Sequence, residues 1–267
     1  MAIKILIVIL LLGSGLVLLP LENAVRAERT RLKYGGARVT IQLREAIGQN
    51  LAIALLAGMR GIVADFLWIN GHDYWEKKEW LRQYRNIEVV AALQPQAVMF
   101  WDLGQWHMAW NIGYGVLSDP KNRTKAEGVK REREWHEKAR EFLARGIENI
   151  PNRYDLYFTM GWLYYEKLSK DCDKPPCQEA FCKAAEYFGK AASFPDAPQF
   201  VARFYPRALE KCGQTRAAYE EWKRLWFLDH SKVQQTWNIV EREIRRLEDE
   251  LQIPDDQRLF PAPLPAP

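Results

Sequence analysis

The chain has 267 residues, of which 48% are apolar and 27% are charged, a composition that is typical of a globular protein and excludes wholesale disorder. The net charge of +4 is too small to indicate nucleic-acid binding. Basic residues are also interleaved with acidic ones in segments such as 131-REREWHEKAR-140, a pattern that is typical of a solvated helix face. The aromatic content is unusual, with 11 Trp, 11 Tyr and 11 Phe. In a helical protein such rings either pack between helices or line a groove.

The N-terminus begins with an apolar run. Residues 3–19 are interrupted only by Lys4, Gly13, Ser14 and Gly15. At about 1.5 Å per residue, a helix of this length just spans a hydrocarbon core of roughly 30 Å. Residues 1–22 are therefore predicted to be a transmembrane anchor. A cleaved signal sequence, with the small residues Val25 and Ala27 near the cleavage point, is the alternative.

The linker at residues 23–40 is basic, and the positive-inside rule alone would place the body in the cytoplasm. The four cysteines argue for the other side, because three of them lie in the Pro-containing segment 172-CDKPPCQEAFC-182, which suits disulfides in an oxidising compartment. We expect an extracytoplasmic body, which would be periplasmic in a bacterium. A zinc site is the alternative for the cysteines, but their spacing lacks the second knuckle of a structural zinc site.

Residues 41–56 have the pattern of an amphipathic helix, with Leu43, Ile47, Leu51 and Leu55 on one stripe. The segment 52–69 that continues it is apolar enough to suggest a second membrane crossing, although Arg60 and Asp65 would make that crossing costly.

Small residues and prolines then recur at a nearly constant period. Gly71 and Gly104 are 33 residues apart, and Ala184 and Ala218 are 34 residues apart. This pattern resembles the tetratricopeptide repeat family, whose unit is a pair of helices with a period of 34 residues. The positions that match the family pattern fall in four units: Gly71, Tyr74 and Pro95; Leu103, Gly104, Ala139, Leu143, Gly146 and Pro151; Tyr157, Met160, Gly161, Tyr164, Ala184, Phe188, Ala191 and Pro195; Ala218, Trp222 and Leu225.

The match is irregular in three places. Pro206 stands where the fourth unit should have its glycine, which puts the regularity of that helix in doubt. Two units are longer than the 34-residue period, by roughly 23 residues around 113–130 and by about 11 residues around the cysteines. Such insertions are expected between the two helices of a unit, where a stacked array tolerates them.

The resemblance implies an all-α fold. We expect residues 41–252 to form a tetratricopeptide-like helical-repeat solenoid of about four helix pairs, closed by a charged C-terminal capping helix over 231–252. Residues 253–267 form a Pro-rich tail that cannot continue a helix.

The family binds its partners in a concave groove lined by the first helix of each pair. Carried over to this chain, the groove residues are Asp65, Trp68, His72, Trp75, Trp101, Gln105, Met108, Phe158, Trp162, Tyr165, Arg203 and Arg207. The resemblance also implies a cysteine pairing, because Cys182 and Cys212 fall on packed helix ends of adjacent units. That leaves Cys172 and Cys177 to close a small loop.

We find no catalytic motif in the sequence, which lacks HExxH, GxSxG, a P-loop and a dinucleotide-binding glycine pattern. We therefore predict no enzyme activity, no catalytic residue, no cofactor and no metal, with a metal pair at His72 and His107 as the alternative. The expected function is that of a membrane-anchored scaffold or adaptor, which holds a peptide segment, helix or complex subunit of another protein. An obligate structural subunit of a membrane or envelope complex, and a protein that binds glycans or small molecules, are the alternatives.

Overall fold

The computed structural model describes residues 59–172, 176–228 and 234–260, with residues 20, 23, 24, 27 and 28 and without the side chains of 234–237. Within these ranges the fold is all-α and contains no strand. None of the described helices is both long and apolar enough to cross a bilayer. Most of the predicted anchor and linker, the predicted helix at 41–56 and the end of the tail lie outside the described residues.

The chain divides into two compact units, residues 1–153 and 154–267. The helices of unit 1 are α1 Arg60–Glu76, α2 Trp80–Leu93, α3 Val98–Trp106, α4 Gly113–Leu117 and α5 Lys125–Asn149, with a π-helical turn His107–Ile112 between α3 and α4. Helix α1 packs on α2, and the continuous run from α3 to α4 packs on α5. Unit 1 is thus built from helix pairs that follow one another along the chain.

Local sequence fixes where α5 begins. The hydroxyl of Thr124 accepts the N–H of Glu127 at 3.1 Å, and the Glu127 carboxylate accepts the N–H of Arg123 at 2.8 Å. The first bond satisfies a backbone donor that the first turn of a helix leaves without a partner, and the second fixes the backbone just before the N-cap residue. Helix α5 ends at Asn149, two residues before Pro151.

The insertion predicted around 113–130 is mostly helical, and only its residues 118–124 lie between the two helices. It lengthens both helices of the pair, because α4 continues α3 through the π-helical turn and α5 already begins at Lys125. Its glycines are packing positions. A Cβ on Gly115 would lie 2.5 Å from the Trp80 ring, and one on Gly128 would lie 2.8 Å from the Leu117 carbonyl oxygen.

Unit 2 has the same serial arrangement. Its helices are α6 Tyr154–Glu166, α7 Gln178–Ala192, α8 Gln199–Ala202, α9 Phe204–Lys211, α10 Thr215–Phe227 and α11 Gln234–Glu250, with 3-10 turns at Leu168–Lys170 and Asp255–Gln257. Helix α7 packs on α6 and α9, α10 packs on α9, and α11 packs on α10. The core of unit 2 is built around Phe188, Tyr219, Trp222, Ile244 and Leu247, all of which are buried.

The irregularity expected at Pro206 is present. Helix α8 ends at Ala202, α9 begins at Phe204, and Arg203 lies at the junction. Proline has no N–H to donate to the carbonyl of Ala202 four residues earlier, so a continuous helix would lose a hydrogen bond at this point.

Three glycines each lie against a side chain of the second helix of their own pair. A Cβ on Gly71 would lie 2.7 Å from the Asn86 amide of α2, and one on Gly104 would lie 2.8 Å from the Phe142 ring of α5. In unit 2, a Cβ on Gly161 would lie 2.6 Å from the Phe188 ring of α7. In each pair, the first helix therefore approaches the second at a residue that has no side chain.

Gly161→Ala is expected to lower the free energy of unfolding by about 1–3 kcal/mol, because Phe188 is fully buried and cannot move aside without strain elsewhere in the core. Urea denaturation of the full-length chain would measure the change. Glu186→Ala, on the exposed face of α7, is the control and should change stability by less than about 0.5 kcal/mol. Equal stabilities of the two variants would contradict the close packing at Gly161.

Unit 2 contains two disulfides, Cys172–Cys177 and Cys182–Cys212, in the expected pairing. The second bond joins α7 to the residue that follows α9. Beside it, the amide of Gln178 donates to the Cys212 carbonyl at 2.6 Å. The end of α9 is therefore fixed to α7 by a covalent bond and a hydrogen bond. Disulfides of this kind are typical of an oxidising compartment.

Replacing Cys182 and Cys212 by Ser should lower the free energy of unfolding by about 3.6 kcal/mol, because this bond closes the longer loop, with a sequence separation of 30. The matched variant Cys172→Ser/Cys177→Ser opens a loop with a separation of only 5 and should lose about 2 kcal/mol. Denaturation in the absence of reductant would compare them. A larger loss from the short loop would contradict the loop-closure argument.

Candidate binding site

Unit 1 contains a cavity of about 110 Å³ between α1, α2 and the π-helical turn. Its lining is aromatic and polar: Trp68, Gly71, His72, Trp75, Gln83, Asn86, Ile87 and His107. Typical small-molecule pockets measure about 300–1,000 Å³. This cavity is therefore of a size for one side chain or a few water molecules, and too small for most cofactors.

Residues on one face of α1 form one wall of the cavity. Trp68, His72 and Trp75 are four and three residues apart, which places them on one face of a helix. The rings of His72 and Trp75 stack with their centroids 5.4 Å apart. Opposite them, the Asn86 amide donates to the Leu67 carbonyl at 2.7 Å, a contact that leaves no room for a side chain at Gly71. This contact ties α2 to α1 at the cavity.

His107 forms a second wall, at the start of the π-helical turn. The amide nitrogens of Gln83 and Asn111 lie 3.2 and 2.8 Å from its Nδ1. Because both amides donate to Nδ1, the neutral ring carries its proton on Nε2. Burial, and secondarily the charge of His72, lower the pKa of His107 below its usual value. The cavity therefore has a neutral imidazole at neutral pH.

Among the described residues of unit 1, the buried amides of Gln83, which lines the cavity, and Gln105 each have an oxygen without a hydrogen-bond partner. Unsatisfied buried acceptors are uncommon, and bound water is their usual partner. No group of three or more His, Cys, Asp or Glu side chains among the described residues is placed to hold a metal ion.

The groove residues predicted on α1 are accessible to different degrees. Asp65, His72 and Trp75 are exposed, and Trp68 is half-buried. Three of these residues share the cavity. Sequence reasoning missed Gln83, Asn86 and Ile87, which α2 contributes. The signal that could have found them is the presence of two polar residues, Gln83 and Asn86, on the apolar face of α2.

The groove residues predicted on the next helix pair are not accessible to solvent. Trp101, Gln105 and Met108 are buried, with exposed fractions of 4, 2 and 0%. The Trp101 indole N–H donates to the Pro95 carbonyl at 2.9 Å, and its ring packs on Phe142. The large ring of Trp101 therefore packs against another helix of the same unit. Since all three residues are buried, they belong to the core.

Three of the groove residues predicted in unit 2 lie around Phe204, which sequence reasoning missed. Phe158 and Trp162 meet its ring edge to face at 5.1 and 5.6 Å. The Arg207 guanidinium lies 5.9 Å from the same ring. Trp162 and Tyr165 are nearly parallel, at 9°. These side chains are half-buried and form what we call the aromatic surface of unit 2: Phe158, Trp162, Tyr165 and Phe204.

No protein-family model matches the sequence, and no curated protein is similar enough to it to be a match.

The lowered pKa of His107 predicts a pH-dependent stability. The unfolded chain binds a proton at this residue near the ordinary value of about 6.5, whereas the folded chain resists it. The free energy of unfolding should therefore fall as the pH decreases through about 6.5, and should level off below the folded pKa. His107→Gln should make the pH dependence shallower.

Denaturation midpoints of the full-length chain between about pH 7.5 and about pH 5, roughly one unit or more on either side of the ordinary pKa, would measure this. His72→Gln is the control. It removes the second cause of the shift while His107 stays buried, so most of the pH dependence should remain. The Nε2 of the exposed His72 lies 3.2 Å from the Glu76 carboxylate, and His72 is the second cause of the lowered pKa of His107. Parallel curves for the parent chain and His107→Gln would contradict the prediction.

Proposed function

We propose that the protein is a membrane-anchored scaffold or adaptor of the tetratricopeptide-like helical-repeat type, which binds a partner protein through aromatic side chains of its first helices. The observation that carries this proposal is the cavity in unit 1, where Trp68, His72 and Trp75 stand together at the surface. Trp, Tyr and Arg contribute the most binding energy at protein interfaces, because they bury much area at a small entropic cost.

The repeat architecture is supported by the serial helix pairs and by a close glycine contact in three of them. In a tetratricopeptide unit, a small residue of the first helix faces a larger side chain of the second. Gly71, Gly104 and Gly161 do so against Asn86, Phe142 and Phe188. Helix α11, with its charged outer face, would serve as the C-terminal cap.

The membrane tether rests on the apolar run at residues 3–19. An extracytoplasmic body is supported by the two disulfides of unit 2. Tethering raises the local concentration of the binding surface at the membrane, so a modest intrinsic affinity is enough for a partner in the same membrane.

Apolar side chains on unit 1 favour a second candidate function, an obligate structural subunit of a membrane or envelope complex. Ile62, Phe66 and Ile69 follow one another on one face of α1 and are 59–70% exposed. Contiguous apolar residues at the surface of a soluble domain mark interaction sites. If another chain covered this face permanently, residues 28–267 expressed alone would aggregate, whereas an adaptor would behave as a monomer.

Affinity capture tests the adaptor proposal. The full-length chain, extracted in mild detergent, is expected to retain a specific partner that is lost or reduced at least about 10-fold by Trp68→Ala and by Trp162→Ala, since each removes about 2 kcal/mol or more at a hot spot. Quantitative mass spectrometry of the captured proteins is the measurement.

Matched controls are Tyr114→Ala in unit 1 and Phe227→Ala in unit 2, which remove exposed rings away from the proposed surfaces. The controls should keep the partner. If the two Trp variants capture the same proteins as the parent chain in the same amounts, these rings do not form the binding surface.

A further inference from the structure

Two arginines stand one turn apart on unit 2. Arg203 lies at the junction between α8 and α9, and Arg207 lies four residues later on α9. Both are half-buried. Burial, followed by the nearby charge of Arg207, lowers the pKa of Arg203.

The neighbouring carboxylates are already engaged by other cations. Glu166 pairs with Lys170 at 3.4 Å, and Glu210 pairs with Arg246. Within the described part of the chain, no ion pair joins Arg203 or Arg207 to an acidic side chain. Other arginines of unit 2 differ in this respect: Arg216 and Arg224 on α10 pair with Glu220 and Glu221.

Apolar rings flank the arginine pair. The Arg207 guanidinium lies 5.9 Å from the centre of the Phe204 ring, and its charge acts on the phenol of Tyr165. Phe200, four residues before Phe204, is 44% exposed. Partly desolvated charges interact more strongly with a counter-ion than fully hydrated ones do. The surroundings therefore favour an anion that carries apolar groups beside its charge.

We infer that Arg203 and Arg207, with the aromatic surface of unit 2, form a subsite for the carboxylate side chain of an acidic, apolar-flanked peptide segment of the partner. Guanidinium groups match a carboxylate in a bidentate geometry, and Phe200 and Trp162 offer contacts to the apolar neighbours. This inference rests on the proposed function, since it names the chemistry that the partner presents to unit 2.

A small probe tests the subsite without a known partner. The full-length chain in detergent is labelled with fluorinated tryptophan, and the fluorine resonance of Trp162 is assigned with Trp162→Phe. N-acetyl-L-glutamate should shift this resonance saturably, with half-saturation on the order of 1–10 mM for a ligand of this size. N-acetyl-L-glutamine amide, which has a similar shape and carries no carboxylate, should leave the resonance unchanged.

The double variant Arg203→Gln/Arg207→Gln should lose the response to N-acetyl-L-glutamate. The matched variant Arg216→Gln/Arg224→Gln removes the same number of charges from α10 and should keep it. Equal responses to the glutamate and glutamine probes, or a response that survives in Arg203→Gln/Arg207→Gln, would overturn the inference. A response to inorganic phosphate that exceeds the response to N-acetyl-L-glutamate would also overturn it, in favour of a phosphate site.

A stability measurement provides an independent readout. Two uncompensated charges of the same sign repel one another, so Arg203→Gln should raise the melting temperature of the free chain by about 1–3 °C at low salt. The gain should shrink at about 0.5 M NaCl, where the screening length is only roughly 4 Å. A structural role for Arg203 predicts the opposite, a lower melting temperature at both salt concentrations.

The two proposals can fail separately. Binding of N-acetyl-L-glutamate is measured on the purified chain, so it can persist even if affinity capture finds no partner that depends on Trp68 and Trp162. In that case the carboxylate subsite stands and the adaptor function does not.

Discussion

Close approach between paired helices is the constraint on which the rest of the structure depends. Within unit 1, α1 meets α2 at Gly71 and the α3 run meets α5 at Gly104; within unit 2, α6 meets α7 at Gly161. Interiors are packed as densely as organic crystals, so a missing side chain on one helix is filled by a larger one from its partner. The cavity of unit 1 depends on the same constraint, because Asn86 reaches the Leu67 carbonyl over Gly71.

The sequence predicted the all-α fold, the irregular helix at Pro206 and both disulfides. The irregularity follows from proline geometry, whereas the disulfide pairing came from the resemblance to the repeat family. The shape of the 113–130 insertion could not be predicted. Glycines are also typical of a loop, so their presence did not predict helices here. The structure shows that Gly115 lies against Trp80 and Gly128 against the Leu117 carbonyl, where a side chain would not fit.

The candidate site was predictable on α1 and not on α3, for a physical reason. Both helices carry Trp at helical spacing, and spacing alone gives a common face without saying what covers it. On α1, the face with Trp68 and Trp75 opens into a cavity. On α3, the corresponding face is covered, since the Trp101 ring packs on Phe142 and its N–H donates to the Pro95 carbonyl. A buried Trp with its N–H satisfied is part of a core.

Arg203 and Arg207 carry like charges that lower the stability of unit 2, and the Cys182–Cys212 disulfide lies at the end of the same helix. Like charges that are partly desolvated destabilise the folded chain, and proteins retain such groups where binding needs them. Arg203 and Arg207 lie on a short, interrupted helix, which has few hydrogen bonds of its own. The Cys182–Cys212 bond fixes the end of that helix to α7. A covalent constraint on this helix limits the movement of the backbone that carries both arginines before a ligand arrives, which would lower the entropic cost of binding.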